Sequence, residues 1–195
     1  SPVSLRMSNA PKYNPYYTID DYRWWEGEWE LWNGVAVAMT PSPFGRHGNM
    51  LARIASALTN AIEEGDCDAS VLLEIDWIVT RDTVVRPDLS IVCGGPPEGH
   101  IESAPELVVE ILSSSTRERD TTVKRELFQQ QRVPWYLIID PDGNSSSLQM
   151  LRLNEALVYE QVEVTDPWQV ERWGSCARAG RRERVCRWPR WGGGA

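Results

Sequence analysis

The stretch Glu106-Leu107-Val108-Val109-Glu110-Ile111-Leu112 places a carboxylate inside a run of branched apolar residues. Such a run predicts a buried strand. On the two-residue period of a strand, Glu110 shares a face with Val108 and Leu112. A charged side chain on a buried face is costly unless it is paired or binds a metal ion. The alternative is that Glu110 lies at a sheet edge or in a structural ion pair.

Two further residues extend this pattern. Asp88 follows Arg86-Pro87 at the start of another predicted strand, and Lys124, one of two lysines in a chain with eighteen arginines, lies fourteen residues after Glu110. Two carboxylates and a compact ammonium suit metal-assisted hydrolysis of a phosphodiester, so the three residues suggest a nuclease. The plainer interpretations are a solvent-facing Asp88 and a solvent-facing helical Lys124 paired with Asp120, four residues earlier.

The metal that these residues suit is magnesium. Magnesium prefers oxygen ligands and usually takes only one or two carboxylates, with water and phosphate completing its shell. Asp88 and Glu110 would therefore suffice. The four cysteines include no Cys-x-x-Cys pair, and two histidines are too few for a multi-histidine site, so the sequence excludes a zinc site of the usual spacing.

Composition fits one domain with its own core, since the chain has 195 residues and a hydrophobic fraction of 42%. We expect a flexible lead-in at residues 1–17, a single domain over 18–168 and a basic, disordered tail at 169–195. An Arg- and Trp-containing nucleic-acid arm and a shifted reading frame are alternatives for the tail. No apolar run is long enough to span a membrane or resembles a signal peptide, so a cytoplasmic protein is expected.

Charge is distributed unevenly: residues 1–170 carry 26 acidic and 13 basic side chains, whereas residues 171–195 carry 2 and 7. An acidic body argues against broad affinity for nucleic acid, because that affinity comes mostly from neutralising phosphates. It does not argue against a site whose carboxylates surround a divalent cation.

Periodicity and turn residues predict the order of elements. Glu30 lies on the first strand of an Asn33-Gly34 hairpin, where a solvent-facing position is an equal alternative. His47, near a helix start, is interpreted as structural or exposed rather than catalytic, and Asp120 as a helix cap. The predicted elements are helix 19–26, hairpin strands 28–32 and 35–39, helix 46–64, strands 69–79, 84–93 and 106–112, helix 121–132, strand 135–139, and hairpin strands 147–153 and 156–164.

Several short motifs occur in one order between residues 17 and 164. They are Thr18-Ile-Asp-Asp-Tyr22, Glu30-Leu-Trp-Asn-Gly34, Pro41-Ser-Pro43 with His47, Arg86-Pro-Asp-Leu89, Pro105-Glu-Leu-Val-Val-Glu110-Ile-Leu112, Ser115-Thr116 with Asp120 and Lys124, and Trp135-Tyr-Leu-Ile-Ile-Asp-Pro141. Together they resemble the Uma family of restriction endonucleases, which is placed in the PD-(D/E)xK nuclease superfamily. The resemblance implies an α/β fold with a mixed central β-sheet flanked by helices.

The resemblance also implies roles for individual residues. Asp88 and Glu110 would bind magnesium, or manganese in its place, with the backbone carbonyl of Ile111 as a third ligand. Glu30 would be the acidic residue of the first motif. The superfamily has a lysine two residues after the glutamate, where this chain has Leu112, so Lys124 becomes the candidate to orient or deprotonate the attacking water and to steady the phosphate charge.

The sequence therefore predicts a magnesium-dependent endonuclease that hydrolyses DNA, with Asp88, Glu110, Lys124 and Glu30 as its catalytic residues. The leading alternative is a catalytically inactive dimeric module that binds nucleic acid or protein, which the acidic body and Leu112 favour. A nuclease acting on RNA or unusual DNA ends stays open as well. Ten tryptophans are consistent with an apolar surface that forms a homodimer.

Overall fold

The computed structural model describes residues 15–39, 45–65, 67–141 and 147–162. Residues 1–14 of the predicted lead-in, the expected domain end at 168 and the whole predicted tail lie outside these ranges. Across the part of the chain that is described, no helix has the length and apolarity needed to cross a lipid bilayer.

Ten strands and a few helical segments make up the described fold. In chain order they are α1 (Ile19–Tyr22), β1 (Trp29–Trp32), β2 (Val35–Ala38), α2 (Gly45–Glu64), β3 (Ala69–Leu73), β4 (Trp77–Thr80), β5 (Thr83–Val85), β6 (Leu89–Cys93), β7 (Leu107–Ile111), a π-helical segment (Arg119–Lys124), α3 (Arg125–Gln130), β8 (Trp135–Asp140), β9 (Ser147–Leu153) and β10 (Tyr159–Val162).

The larger sheet has six strands in the order β10-β9-β8-β7-β6-β3. It is mixed, because β7 and β8 are parallel and the other neighbours are antiparallel. A parallel pair needs a crossover connection, and the π segment with α3 supplies it. The mixed sheet and the C-terminal hairpin of β9 and β10 are as predicted.

The smaller sheet has four antiparallel strands in the order β2-β1-β5-β4. Its hairpin of β1 and β2 turns at Asn33 and Gly34, whose φ angles are 46° and 81°. Both angles are positive, as a primed two-residue turn requires. The predicted N-terminal hairpin is therefore confirmed.

The predicted strands 69–79 and 84–93 are wrong as single strands, because each divides between the two sheets. β3 and β6 pair in the larger sheet, whereas β4 and β5 pair in the smaller one. Glu74 has a φ angle of 51°, which a continuous strand does not accommodate, and Pro87 has no N–H to donate. The chain thus re-enters the larger sheet directly after Asp88.

The helices differ from prediction mainly at their ends. The capping box of Thr18 and Asp21 is present, but α1 stops at Tyr22 rather than 26. α2 agrees closely with the predicted 46–64. The predicted helix 121–132 begins earlier, as the π segment, so Asp120 lies inside it and is not a cap; Glu118 occupies the N-cap position of the segment.

Apolar residues cover both faces of the larger sheet. On one face, Leu51, Ile54 and Ile62 of α2 pack on alternate residues of the central strands. On the other face, Phe128 of α3 and Trp77 of β4 pack on Val108 and its neighbours. The larger sheet is thus the middle layer of the fold. Glu110 lies on the same face as Val108, because residues two apart in a strand point to the same side of the sheet.

The turn at Gly34 offers a test of the N-terminal hairpin. A Cβ at this position would overlap the Tyr16 ring, and the positive φ angle strains any L side chain. Gly34→Ala should therefore lower the free energy of unfolding by more than about 1 kcal/mol.

Gly48→Ala is the matched control, because a Cβ at Gly48 meets no atom of the described residues within 4 Å and alanine favours a helix interior. Urea unfolding should show it unchanged or up to about 1 kcal/mol more stable. Equal stability of the two variants would contradict the turn geometry.

Candidate active site

The larger sheet brings Asp88 and Glu110 together. Glu110 lies in β7 and is 2% exposed. The antiparallel register pairs Leu89 with Val109, so Asp88, the residue before β6, lies beside Glu110. The chain re-enters the sheet at the point where this pairing starts, which places two carboxylates from distant parts of the sequence side by side.

Asp88 is held by groups from two other elements. The backbone N–H of Ile111 donates to Asp88 Oδ2 at 2.7 Å, and His47 Nε2 of α2 lies 3.3 Å from the same oxygen. The hydrogen bond with Asp88 raises the pKa of His47, although burial opposes the shift. Asp88 is thus fixed in a polar site, with a side chain 20% exposed, rather than projecting freely into water.

Lys124 is buried among three carboxylates and does not face solvent. Its Nζ lies 2.7 Å from Glu110 Oε1, 3.4 Å from Glu30 Oε1 and 3.4 Å from Asp120 Oδ1. Burial alone would lower the pKa of Lys124, but the three negative charges together raise it above its usual value. The predicted four-residue pairing with Asp120 exists, yet it is one part of a larger buried cluster.

The π-helical segment directs two of its side chains toward this cluster. Arg119 and Lys124 both contact Glu30. On an α-helix, residues five apart would point about 140° away from each other. A π-helix has i→i+5 hydrogen bonds and occurs frequently at functional sites. The hydroxyl of Tyr136 donates to the backbone carbonyl of Asp120 at 2.8 Å, which anchors the segment on β8.

Glu30 is buried, so the solvent-facing alternative is wrong. It is 1% exposed, and its carboxylate accepts hydrogen bonds from the Arg86 backbone N–H at 3.0 Å and from Trp32 Nε1 at 2.9 Å. Arg119 and Lys124 approach it at 3.4 Å each. Glu30 therefore ties the smaller sheet to the π segment.

The buried cluster contains more carboxyl groups than cationic groups. Burial raises the pKa of Glu110 well above its usual value, and the charge of Lys124 only partly offsets this. Burial likewise raises the pKa of Asp120. An excess of carboxylates around one ammonium favours the approach of a further cation.

A cleft of about 890 Å³ opens beside the cluster. Its walls include Asp88, Ile111, Lys124 and Glu30, together with His47 and the two arginines Arg86 and Arg119. Glu110 is not on the wall and lies behind it, with Oε1 on Lys124. The cleft therefore exposes the Asp88 carboxylate, the end of β7 at Ile111 and parts of the Arg86 and Arg119 side chains, whereas Lys124 and Glu30 on its wall are almost fully buried.

The donors here fit magnesium by type. Asp88 and Glu110 offer carboxylate oxygens and Ile111 a backbone carbonyl, which matches a cation that takes one or two carboxylates and fills its shell with water and phosphate. Within the described ranges, no three His, Cys, Asp or Glu side chains converge as metal ligands. A magnesium ion at this site would therefore rely on oxygen atoms from the backbone and from outside the chain.

The sequence patterns predict a structural or exposed His47 and a helix-capping Asp120, and they do not indicate a role for Arg119. Asp120 lies four residues before Lys124, and this spacing was the signal that could have placed it in the cluster rather than at a cap. His47 and Arg119 reach the site only through tertiary packing. No local pattern distinguishes them from other histidines and arginines.

Comparison with known proteins agrees with this fold. The model of the Uma2 family, described as "Putative restriction endonuclease", matches residues 19–173 of this chain. The chain belongs to the Uma2 family. No curated protein matches it.

A solved structure resembles this Uma2 member. It is a protein of Anabaena variabilis described as a "putative nuclease belonging to DUF820", with 20% sequence identity and a TM-score of 0.61, over 77% of this chain and 86% of that one. At this level of identity the similarity supports the fold. The restriction-endonuclease-like α/β architecture predicted from sequence is therefore confirmed.

The buried ammonium makes a stability prediction. Lys124→Met removes the cation but keeps a similar apolar stem, which leaves Glu110 and Asp120 without their buried cation, so the variant should lose about 3–5 kcal/mol of stability at neutral pH. The pKa values of Glu110 and Asp120 are raised in the folded state. The stability lost on Lys124→Met should therefore be small at about pH 4, where the carboxyl groups are protonated in the variant. It should grow as pH rises through the raised pKa values of Glu110 and Asp120, because the two groups then ionise.

Urea unfolding at about pH 5 and about pH 8 measures both effects. The double variant Lys124→Met with Glu110→Gln is the control, because it removes one of the uncompensated charges and should lose less than the sum of the single losses. A Lys124→Met protein as stable as the wild type at both pH values would show that the ammonium is not buried among carboxylates.

Proposed function

We propose that this Uma2 member is a magnesium-dependent endonuclease that hydrolyses DNA phosphodiester bonds, with manganese as a substitute ion. The observation that carries the proposal is the buried Lys124 ammonium, 2.7 Å from Glu110, beside Asp88 at the wall of an open cleft. Family membership supports nuclease chemistry, and the metal and the DNA substrate are our proposal.

Asp88 and Glu110 would hold the ion, with the backbone carbonyl of Ile111 as a further ligand. When bound, magnesium supplies charge neutralisation and an activated water. The N–H of Ile111 and the His47 ring would keep the Asp88 carboxylate in a single orientation, because both already contact its Oδ2. Fixed orientation of a carboxylate reduces the reorganisation that the reaction requires.

Lys124 would act as a cationic donor in this site. Its three carboxylate partners keep the ammonium charged, so it can orient a water molecule and stabilise negative charge on phosphate more readily than it can accept a proton. Of the three roles predicted for Lys124, orientation of water and charge stabilisation are thus better supported than deprotonation.

Glu30 would be a positioning residue rather than a metal ligand. Four donors from Arg86, Trp32, Arg119 and Lys124 surround its carboxylate, which leaves it little capacity for an ion. By holding Lys124 and Arg119 together, it sets the position of two cations at the cleft.

The direct test is cleavage of supercoiled DNA, single-stranded DNA and RNA in magnesium or manganese. Asp88→Asn, Glu110→Gln and Lys124→Met should each reduce the cleavage rate by at least about 100-fold, because each removes an interaction worth several kcal/mol in the transition state. Asp20→Asn is the control, since it removes an exposed carboxylate in α1.

The outcomes separate the candidate functions. Cleavage that survives Lys124→Met but not Asp88→Asn would retain the nuclease and contradict the role of Lys124. Absence of cleavage by folded wild type on every substrate would favour the non-catalytic binding module. Faster cleavage of RNA than of DNA would replace the proposed substrate.

A homodimer in the cytoplasm stays a prediction. The apolar-surface argument is weaker than the sequence suggested, because among the tryptophans in the described ranges only Trp24, at 86%, is largely exposed, whereas Trp77 and Trp135 are buried. One chain has a mass of 22.2 kDa, so light scattering at micromolar concentration should give twice this mass if the dimer forms. A mass equal to one chain would contradict the predicted homodimer.

A further inference from the structure

A second pocket adjoins the cleft at the π segment. It has a volume of about 450 Å³, and Ala38, Ser115, Thr116, Glu118, Arg119 and Thr122 are among its lining residues. Thr116 and Arg119 line both this pocket and the cleft. The two cavities are therefore neighbours, and the Arg119 side chain lies at their common boundary.

Arg119 has hydrogen-bonding capacity that the described residues do not use. Its Nη1 lies 3.4 Å from Glu30 Oε2, whereas its buried Nε has no hydrogen-bond partner. Buried polar atoms are normally paired, and a guanidinium carries five N–H donors. The Arg119 side chain is 25% exposed at the boundary of two cavities, so the exposed part of its guanidinium is available to an external anion.

We propose that Arg119 binds a second phosphate of the nucleic-acid backbone, next to the phosphate at Asp88. The proposal rests on the proposed nuclease function, because it concerns the same substrate. Guanidinium matches phosphate in charge and geometry. The backbone of a bound strand would pass from the cleft to the second pocket across Arg119, so this residue would position the strand without touching the reacting atoms.

The hydroxyl turn beside Arg119 supports an anion in this place. Ser113 Oγ lies 3.0 Å from both Ser115 Oγ and Thr116 Oγ1. Hydroxyl groups rotate and can donate as well as accept, so Ser115, which lines the pocket, can turn its hydroxyl toward a phosphate there, whereas the Thr116 hydroxyl is engaged with Asp120. Such contacts fix the register of a nucleic acid without reading its sequence.

Glu118 opposes this binding and provides an internal test. It is exposed and lines the second pocket, so its negative charge repels a phosphate there. Removing that charge should strengthen binding, whereas removing the neighbouring charge of Arg119 should weaken it. Opposite effects from adjacent residues are not expected if Arg119 only supports Glu30.

The experiment measures binding of fluorescein-labelled DNA, as a duplex and as a single strand of mixed sequence, by fluorescence anisotropy. The full chain is used in a chelator without divalent ions, at salt concentrations between about 50 and 200 mM. Arg119→Gln should weaken binding about tenfold at the lowest salt concentration. It should also reduce the slope of log K against log salt by about 0.9 for duplex or 0.7 for single strand, the value for one phosphate contact.

Three variants accompany Arg119→Gln. Arg119→Lys should restore most of the slope, because lysine also binds phosphate as a point charge, and Glu118→Gln should bind more tightly than wild type. Arg152→Gln should leave the slope unchanged, since Arg152 pairs with Glu160 on the C-terminal hairpin. Thermal melting checks that each variant is folded. If Arg119→Gln does not fold, the affinities and salt slopes of Arg119→Lys and Glu118→Gln test the phosphate contact instead.

An unchanged salt slope in folded Arg119→Gln, or unchanged affinity in Glu118→Gln, would overturn the subsite while leaving the cleavage results and the proposed nuclease intact. Absence of any DNA binding by folded wild type would overturn the subsite too. If that protein also fails to cleave DNA in magnesium, the proposed function fails with it.

Discussion

A single buried ammonium connects the three parts of the molecule that form the site. Lys124 of the π segment contacts Glu110 of the larger sheet at 2.7 Å and Glu30 of the smaller sheet at 3.4 Å. Carboxylates buried this deeply are expensive without a partner, so the position of the π segment, the approach of the two sheets and the ionisation of Glu110 all depend on this cation. Arginine, which supplies almost all other positive charge here, has a planar fork that is less compact than an ammonium.

The same arrangement explains how an acidic chain could bind a negatively charged nucleic acid. The body as a whole repels phosphate, whereas the cleft gathers Lys124, Arg86 and Arg119 beside carboxylates that remain in excess within the buried cluster. A divalent ion would add positive charge where that excess lies. Affinity for nucleic acid would then come from a few arginines, with the ion strengthening it, rather than from the net charge of −8.

Local signals predicted much of the fold, and tertiary contacts determined the rest. The Asn33-Gly34 turn, the apolar run around Glu110 and the periodicity of α2 each specify an element without outside help. The division of strands 69–79 and 84–93 between two sheets was missed, since apolar alternation continues through Glu74 and does not reveal a left-handed residue. The structure brings together the candidates Asp88, Glu110, Lys124 and Glu30, which local sequence signals named, whereas His47 and Arg119 are added by packing. Their contacts span 41 and 89 residues (119 − 30) of sequence.

Selective isotope labelling of lysine tests the central claim most directly, because the chain has only Lys12 and Lys124. NMR of ¹³Cε-labelled lysine would give two resolved side-chain signals, assigned with Lys12→Arg. The account predicts that the Lys124 signal stays in its protonated position well above the ordinary lysine pKa of about 10.4. It also predicts that magnesium shifts this signal in the wild type and not in Asp88→Asn. A Lys124 signal that titrates at the ordinary value and ignores magnesium would contradict the account.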